Sequence, residues 1–104
     1  MRILLIDDTR DETNVKRRVD LIARNYWSGI LALEKLGPWD LVFLDHDLNT
    51  FYPDGKELTG YDIVKFLEQN PHLLPADVQL VSSNPPGRAR MGQVLSKLYG
   101  RDIR

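Results

Sequence analysis

Two four-residue apolar runs, Ile3-Leu4-Leu5-Ile6 and Leu41-Val42-Phe43-Leu44, end directly in acidic residues. Asp7-Asp8 follows the first and Asp45-His46-Asp47 the second. A short continuous apolar run with polar boundaries reads as a strand buried on both faces, and such strands belong to parallel sheets. Ligands of open parallel sheets bind beyond the carboxyl ends of the strands, where both acidic groups fall. Asp7, Asp8, Asp45 and Asp47 are therefore expected to converge on one pocket. Like charges that close raise each other's pKa unless a cation offsets them. A hard divalent ion, Mg²⁺ or Mn²⁺, is the simplest offset, because it takes oxygen ligands from a few carboxylates plus water. Asp7, Asp8 and Asp45 are the expected metal ligands.

The remaining chain supplies the partners such a sheet needs. Strands are predicted over 2–6, 19–23, 40–44 and 78–81. Helices are predicted from Ser28, as N-cap, to Leu36 before Gly37-Pro38, and then over 61–69 and 88–99. Residues 8–18 read as a loop with at most one helical turn, and 49–59, with Pro53 and Asp54-Gly55, as a long loop. Strands alternating with helices imply a parallel sheet with right-handed crossovers. Trp27 and Trp39 are expected in or beside the core. The 104 residues predict one domain, 1–104. The absence of cysteine excludes disulfides and thiolate metal sites and fits a cytoplasmic location. The N-terminal apolar run is too short for a signal peptide, and no segment is long enough to span a membrane. A net charge of −1 argues against general DNA or membrane binding. Exposed edge strands in so small a sheet leave room for self-association or a partner.

His46 lies between two acids that favour its charged form, which suits a general acid. Strand alternation would point it away from Asp45 and Asp47 unless the strand has ended, and a backbone-bonded histidine beneath the site is the alternative reading. Ser83 and Asn84 precede a helix that opens with Gly87-Arg88. Free backbone N–H groups, the helix dipole and the Arg88 guanidinium would make an anion site there. Arg10 would be a second phosphate clamp. Phe51, Tyr52 and Tyr61 would either stack a base or pin the long loop to the surface.

The Asp pair after the first strand, the Asp after the third, the Gly60-led helix and Ser82 after the fourth strand resemble a response-regulator receiver domain. That resemblance implies that Asp7 and Asp8 hold Mg²⁺ and that Asp45 is the phospho-accepting position. A receiver also carries a fifth strand ending in a Lys beside a Pro. The sequence offers no equivalent, since Lys97 falls within a predicted helix. The chain is more similar to the cyclic-phosphate-processing receiver-like family. The carrying blocks are Asp7-Asp8-Thr9-Arg10, Asp45-His46-Asp47-Leu48, Gly60-Tyr61-Asp62, and Ser82-Ser83-Asn84-Pro85-Pro86-Gly87-Arg88-Ala89-Arg90-Met91. Ser82 departs from the family's usual His.

The resemblance implies an α/β, truncated receiver-like (flavodoxin-like) three-layer domain. Its four-stranded parallel sheet would have the order 2-1-3-4, with the pocket at the ends of strands one, three and four. It further implies a metal-dependent phosphoesterase acting on a small cyclic phosphate, a nucleotide phosphate or an RNA end. In that reading Asp45, His46 and Asp47 are catalytic, while Arg10, Ser82, Ser83, Asn84, Gly87 and Arg88 hold the phosphate. The rival is a non-catalytic module that binds a phosphorylated ligand or a protein partner, a reading Ser82 favours.

Overall fold

A computed structural model describes all of residues 1–104. The main sheet consists of β1 (Ile3–Ile6), β2 (Leu21–Ala23), β3 (Leu41–Leu44) and, after a small ribbon, β6 (Asp77–Leu80). All neighbours are parallel and the order is β2-β1-β3-β6, so β6 is the fourth strand of the predicted 2-1-3-4 arrangement. Register sets Ile6 beside Leu44 and Leu44 beside Leu80, so these three strands end level with one another.

Strand alternation divides the apolar side chains between two faces. Leu4, Ile6, Val42, Leu44, Val78 and Leu80 belong to the larger core, with Leu33, Ile63, Val64, Leu67, Met91 and Leu95 of the helices packed on them. Those helices are α2 (Tyr26–Lys35), α3 (Gly60–Gln69) and α4 (Pro85–Tyr99). On the other face Ile3, Leu5, Leu41 and Phe43 form a smaller cluster. Val15, at the end of the single-turn α1 (Glu12–Val15), and Val19 pack against it. This layer is thin, as the polar 8–18 segment predicts. No helix is long and apolar enough to cross a membrane.

Four expectations are corrected. Helix α2 begins earlier because Asn25, not Ser28, is its N-cap; the Ser28 N–H donates to Asn25 Oδ1 at 2.9 Å. Helix α4 likewise begins at Pro85, since Asn84 caps it and a proline at the first helical position costs no hydrogen bond. The long loop contains an antiparallel ribbon, β4 (Thr50–Phe51) with β5 (Glu57–Leu58), closed by Asp54-Gly55 with Gly55 at φ 90°. Trp27 is 54% exposed and lies edge-on to Tyr52, whereas Trp39 is buried with its indole N–H on the Ala32 carbonyl.

The C-terminal residues fold back on α4. Ile103 is buried, its N–H donates to Ser96 Oγ at 2.9 Å, and the Arg104 carbonyl accepts from the Leu80 N–H on the outer edge of β6. A side chain at Gly92 would press on the Ile103 carbonyl, so that glycine admits the tail.

Candidate active site

Three carboxylates meet where β1 and β3 end. Asp7 is fully buried, and both of its carboxylate oxygens accept hydrogen bonds. Oδ1 accepts the N–H groups of Thr9 (3.0 Å) and Arg10 (2.9 Å), and Oδ2 accepts Arg10 Nη1 at 2.9 Å. Asp45 continues the ladder for one residue, donating its N–H to the Ile6 carbonyl, which brings its side chain beside Asp7. Its Oδ1 accepts the His46 N–H at 2.8 Å, and Oδ2 lies 3.4 Å from Arg10 Nη1. One carboxylate oxygen from each of Asp7, Asp8 and Asp45 falls within 4.8 Å of the others. Burial, and then the charge of Asp7, push the Asp45 carboxyl up to about 6, against the pull of its backbone bond and Arg10. Burial works against the charge on Arg10, but its bond to Asp7 and the charges of Asp7, Asp45 and Asp8 raise its pKa. Hard oxygen donors at this spacing suit Mg²⁺ or Mn²⁺.

Asp47 does not join them. Its side chain is 57% exposed and its Oδ1 lies 2.8 Å from His46 Nδ1. The Asp45 N–H makes the last ladder bond of β3, and beyond it the first residue of α3 presses on the turn. The Gly60 N–H donates to the His46 carbonyl at 2.7 Å, and a side chain at 60 would overlap the Asp45 carbonyl. That turn frees His46 from strand alternation and sets its ring against Gly87 of α4. A Cβ at 87 would lie 2.8 Å from Nε2 and nearer still to Cδ2 and Cγ. With a carboxylate on Nδ1, that nitrogen is the donor. Nε2 has no protein partner and is not sealed from solvent.

The loop after β6 is arranged differently from the expected anion cradle. The first two helical residues are prolines, and the Gly87 N–H is already taken by Asn84 Oδ1 at 3.1 Å. The start of the helix therefore offers no free N–H from these positions. Ser82 is buried and its Oγ accepts the Asn84 N–H at 3.0 Å, which staples the loop. Asn84 turns its amide nitrogen toward Asp47 Oδ1 (3.5 Å) and His46 Nδ1 (3.4 Å). Because Nδ1 donates to Asp47, that amide can serve only the carboxylate. Ser83 is exposed and accepts Arg10 Nη2 at 2.6 Å, which ties the 7–10 turn to the 82–84 loop. Arg88 leans back on the Ser82 carbonyl (3.4 Å) and lines a groove of about 570 Å³ between α4 and the tail. It makes no bond to the acidic cluster.

Two further residues shape the site without appearing among the expected ones. Gly60 forms the turn after β3, and Arg24 Nη1 holds the Arg10 carbonyl at 2.6 Å. The Gly before the second helical pattern is a visible signal, whereas nothing in the sequence marks Arg24. Of the aromatics, Tyr52 meets Trp27 on the ribbon side, and Tyr61 lies under the Arg90 guanidinium at 4.2 Å. No curated protein and no solved structure matches the chain. Residues 2–97 match the family model of the cyclic-phosphate processing receiver domain, and with that match covering nearly all of this fold and its acidic strand ends, the chain belongs to that family.

Proposed function

We propose that the protein is a metal-dependent phosphoesterase that opens a small cyclic or nucleotide phosphate at the ends of β1, β3 and β6. The observation that carries this reading is the pairing of a carboxylate cluster (Asp7, Asp8, Asp45) with a His46–Asp47 couple whose Nε2 is free. Asp7, Asp8 and Asp45 would hold Mg²⁺ or Mn²⁺, which when bound supplies Lewis-acid polarisation of the phosphoryl oxygens. His46 does the proton work. Nε2 takes a proton from the attacking water as the new P–O bond forms, then gives it to the ring oxygen as the old P–O bond breaks. Asp47 stabilises the transient imidazolium through Nδ1, and Asn84 steadies Asp47. Arg10, in contact with the cluster, and Ser83, bonded to Arg10, would hold phosphate oxygens.

The test is phosphorus NMR of cyclic ribonucleotides and a nucleotide monoester with Mn²⁺, using wild type and His46→Ala. Ring opening that falls by about 10²- to 10⁴-fold in His46→Ala, with ligand binding little changed, is the expected result. No turnover of any ester by wild type would favour a binding module. The buried Ser82 hydroxyl, which leaves position 82 without an acid–base group, favours that second reading.

A further inference from the structure

We propose that Arg10 is a resident counter-cation of the acidic cluster, one that a divalent ion displaces and that then turns to the phosphate. This inference rests on the metal reading above and concerns how the site is loaded.

Of the 14 basic residues, Arg10 alone is in ion-pair contact with Asp7 and Asp45. Nη1 sits 2.9 Å from Asp7 Oδ2 and 3.4 Å from Asp45 Oδ2, so one guanidinium nitrogen serves both carboxylates. Nη2 continues to Ser83 Oγ at 2.6 Å, closing the space between the loops that follow β1 and β6. Oδ1 of Asp7 is held by two backbone N–H groups and Oδ2 by Nη1, so a ligand that approaches Oδ2 meets the guanidinium there. None of the three cavities is lined by Asp7, Asp8 or Asp45, as expected if the guanidinium fills the place where a ligand would enter.

A divalent ion and a guanidinium on the same two carboxylates repel each other, so the two cations compete. The backbone of residue 10 is fixed, with its N–H on Asp7 Oδ1 and its carbonyl on Arg24 Nη1. The exchange is therefore a side-chain swing about the long Arg10 stem, which is 23% exposed and borders solvent. Swinging out frees Asp7 Oδ2, Asp45 Oδ2 and Ser83 Oγ together. It also leaves a planar fork of N–H donors at the rim, the geometry that pairs two-to-two with phosphate oxygens.

The experiment is calorimetric titration of Mn²⁺ into wild type and Arg10→Gln, followed by inorganic phosphate into each metal-loaded protein. Removing a competing charge at hydrogen-bond range predicts metal affinity at least about tenfold tighter in Arg10→Gln, with phosphate affinity weakened by a similar factor. Equal or weaker metal binding by the variant would overturn the role of Arg10 while leaving the metal site standing. No metal binding by either protein would overturn the metal reading and this inference with it. Should Arg10→Gln fail to fold, Mg²⁺ titration of wild type followed by NMR of the Arg10 guanidinium protons decides the matter. Loss of their protection on saturation supports displacement, and unchanged signals at saturation overturn it.

Discussion

Replacing Asp45 by Asn should stabilise the metal-free protein at neutral pH, although it removes a hydrogen-bonded, buried side chain. Burial and Asp7 push the Asp45 carboxyl from 3.8 to about 6, roughly two pKa units. At 1.36 kcal/mol per unit, keeping it ionised in the fold costs about 3 kcal/mol. The sign follows from proton binding. Between these two values the folded chain holds a proton that the unfolded chain has lost, so stability falls as pH rises. The contribution is fully present below 3.8 and is lost as pH rises through about 6. The variant resembles the protonated acid at every pH and escapes that loss. Urea denaturation with a chelator present, at about pH 7.5, should place Asp45→Asn above wild type by about 1–3 kcal/mol, and the gap should close toward about pH 4. The attraction of Arg10 for Asp45 is already contained in the net shift, so its loss does not reverse the sign. A variant less stable than wild type at neutral pH, or a gap indifferent to pH, would refute the claim that Asp45 is held ionised at a cost. Adding Mn²⁺ should reverse the order, because only wild type keeps the full carboxylate set.

Other substitutions probe the parts that shape the site. Gly87→Ala should drive the His46 ring from its seat and break its bond to Asp47, costing about 1–3 kcal/mol and lowering turnover as far as His46→Ala does. His46 ring-proton shifts alongside denaturation curves would check both effects. Gly60→Ala puts a methyl group into backbone rather than a side chain, so a larger loss, about 3 kcal/mol or more, is expected by denaturation. Asn84→Ala removes the cap on α4 and the amide facing Asp47. A stability loss of about 0.5–2 kcal/mol in urea, together with slower turnover, is the expected pair of results.

The sheet was legible because its strands are unbroken apolar runs, Ile3–Ile6 and Leu41–Leu44, and four apolar residues closed off by charge fit little besides a strand buried on both faces. Placing Asp7, Asp8 and Asp45 together followed from the same logic, since adjacent parallel strands end level. What failed was anything decided by a single residue's local contacts. Asp47 turns out to solvent because Gly60 bends the chain at Asp45, a tertiary contact that no spacing rule contains. The cradle expected before Arg88 is filled by Asn84 and two prolines, and the helix starts at Pro85 because Asn84 Oδ1 takes the Gly87 N–H. Ser28 lost to Asn25 on the same basis. Trp27, expected in or beside the core, is exposed beside Tyr52 because it lies on the outer side of α2, while Gly29 and Ala32 turn inward.

The central claim is that a divalent ion and a phosphate share the ends of β1, β3 and β6. Anomalous diffraction at the manganese edge, from crystals grown with Mn²⁺ and inorganic phosphate, tests it most directly. The account predicts one manganese peak among the Asp7, Asp8 and Asp45 carboxylates, the Arg10 side chain swung off them, and phosphate between the metal and His46 Nε2. Arg10 still seated on Asp7 and Asp45, with no manganese between those carboxylates, would contradict it.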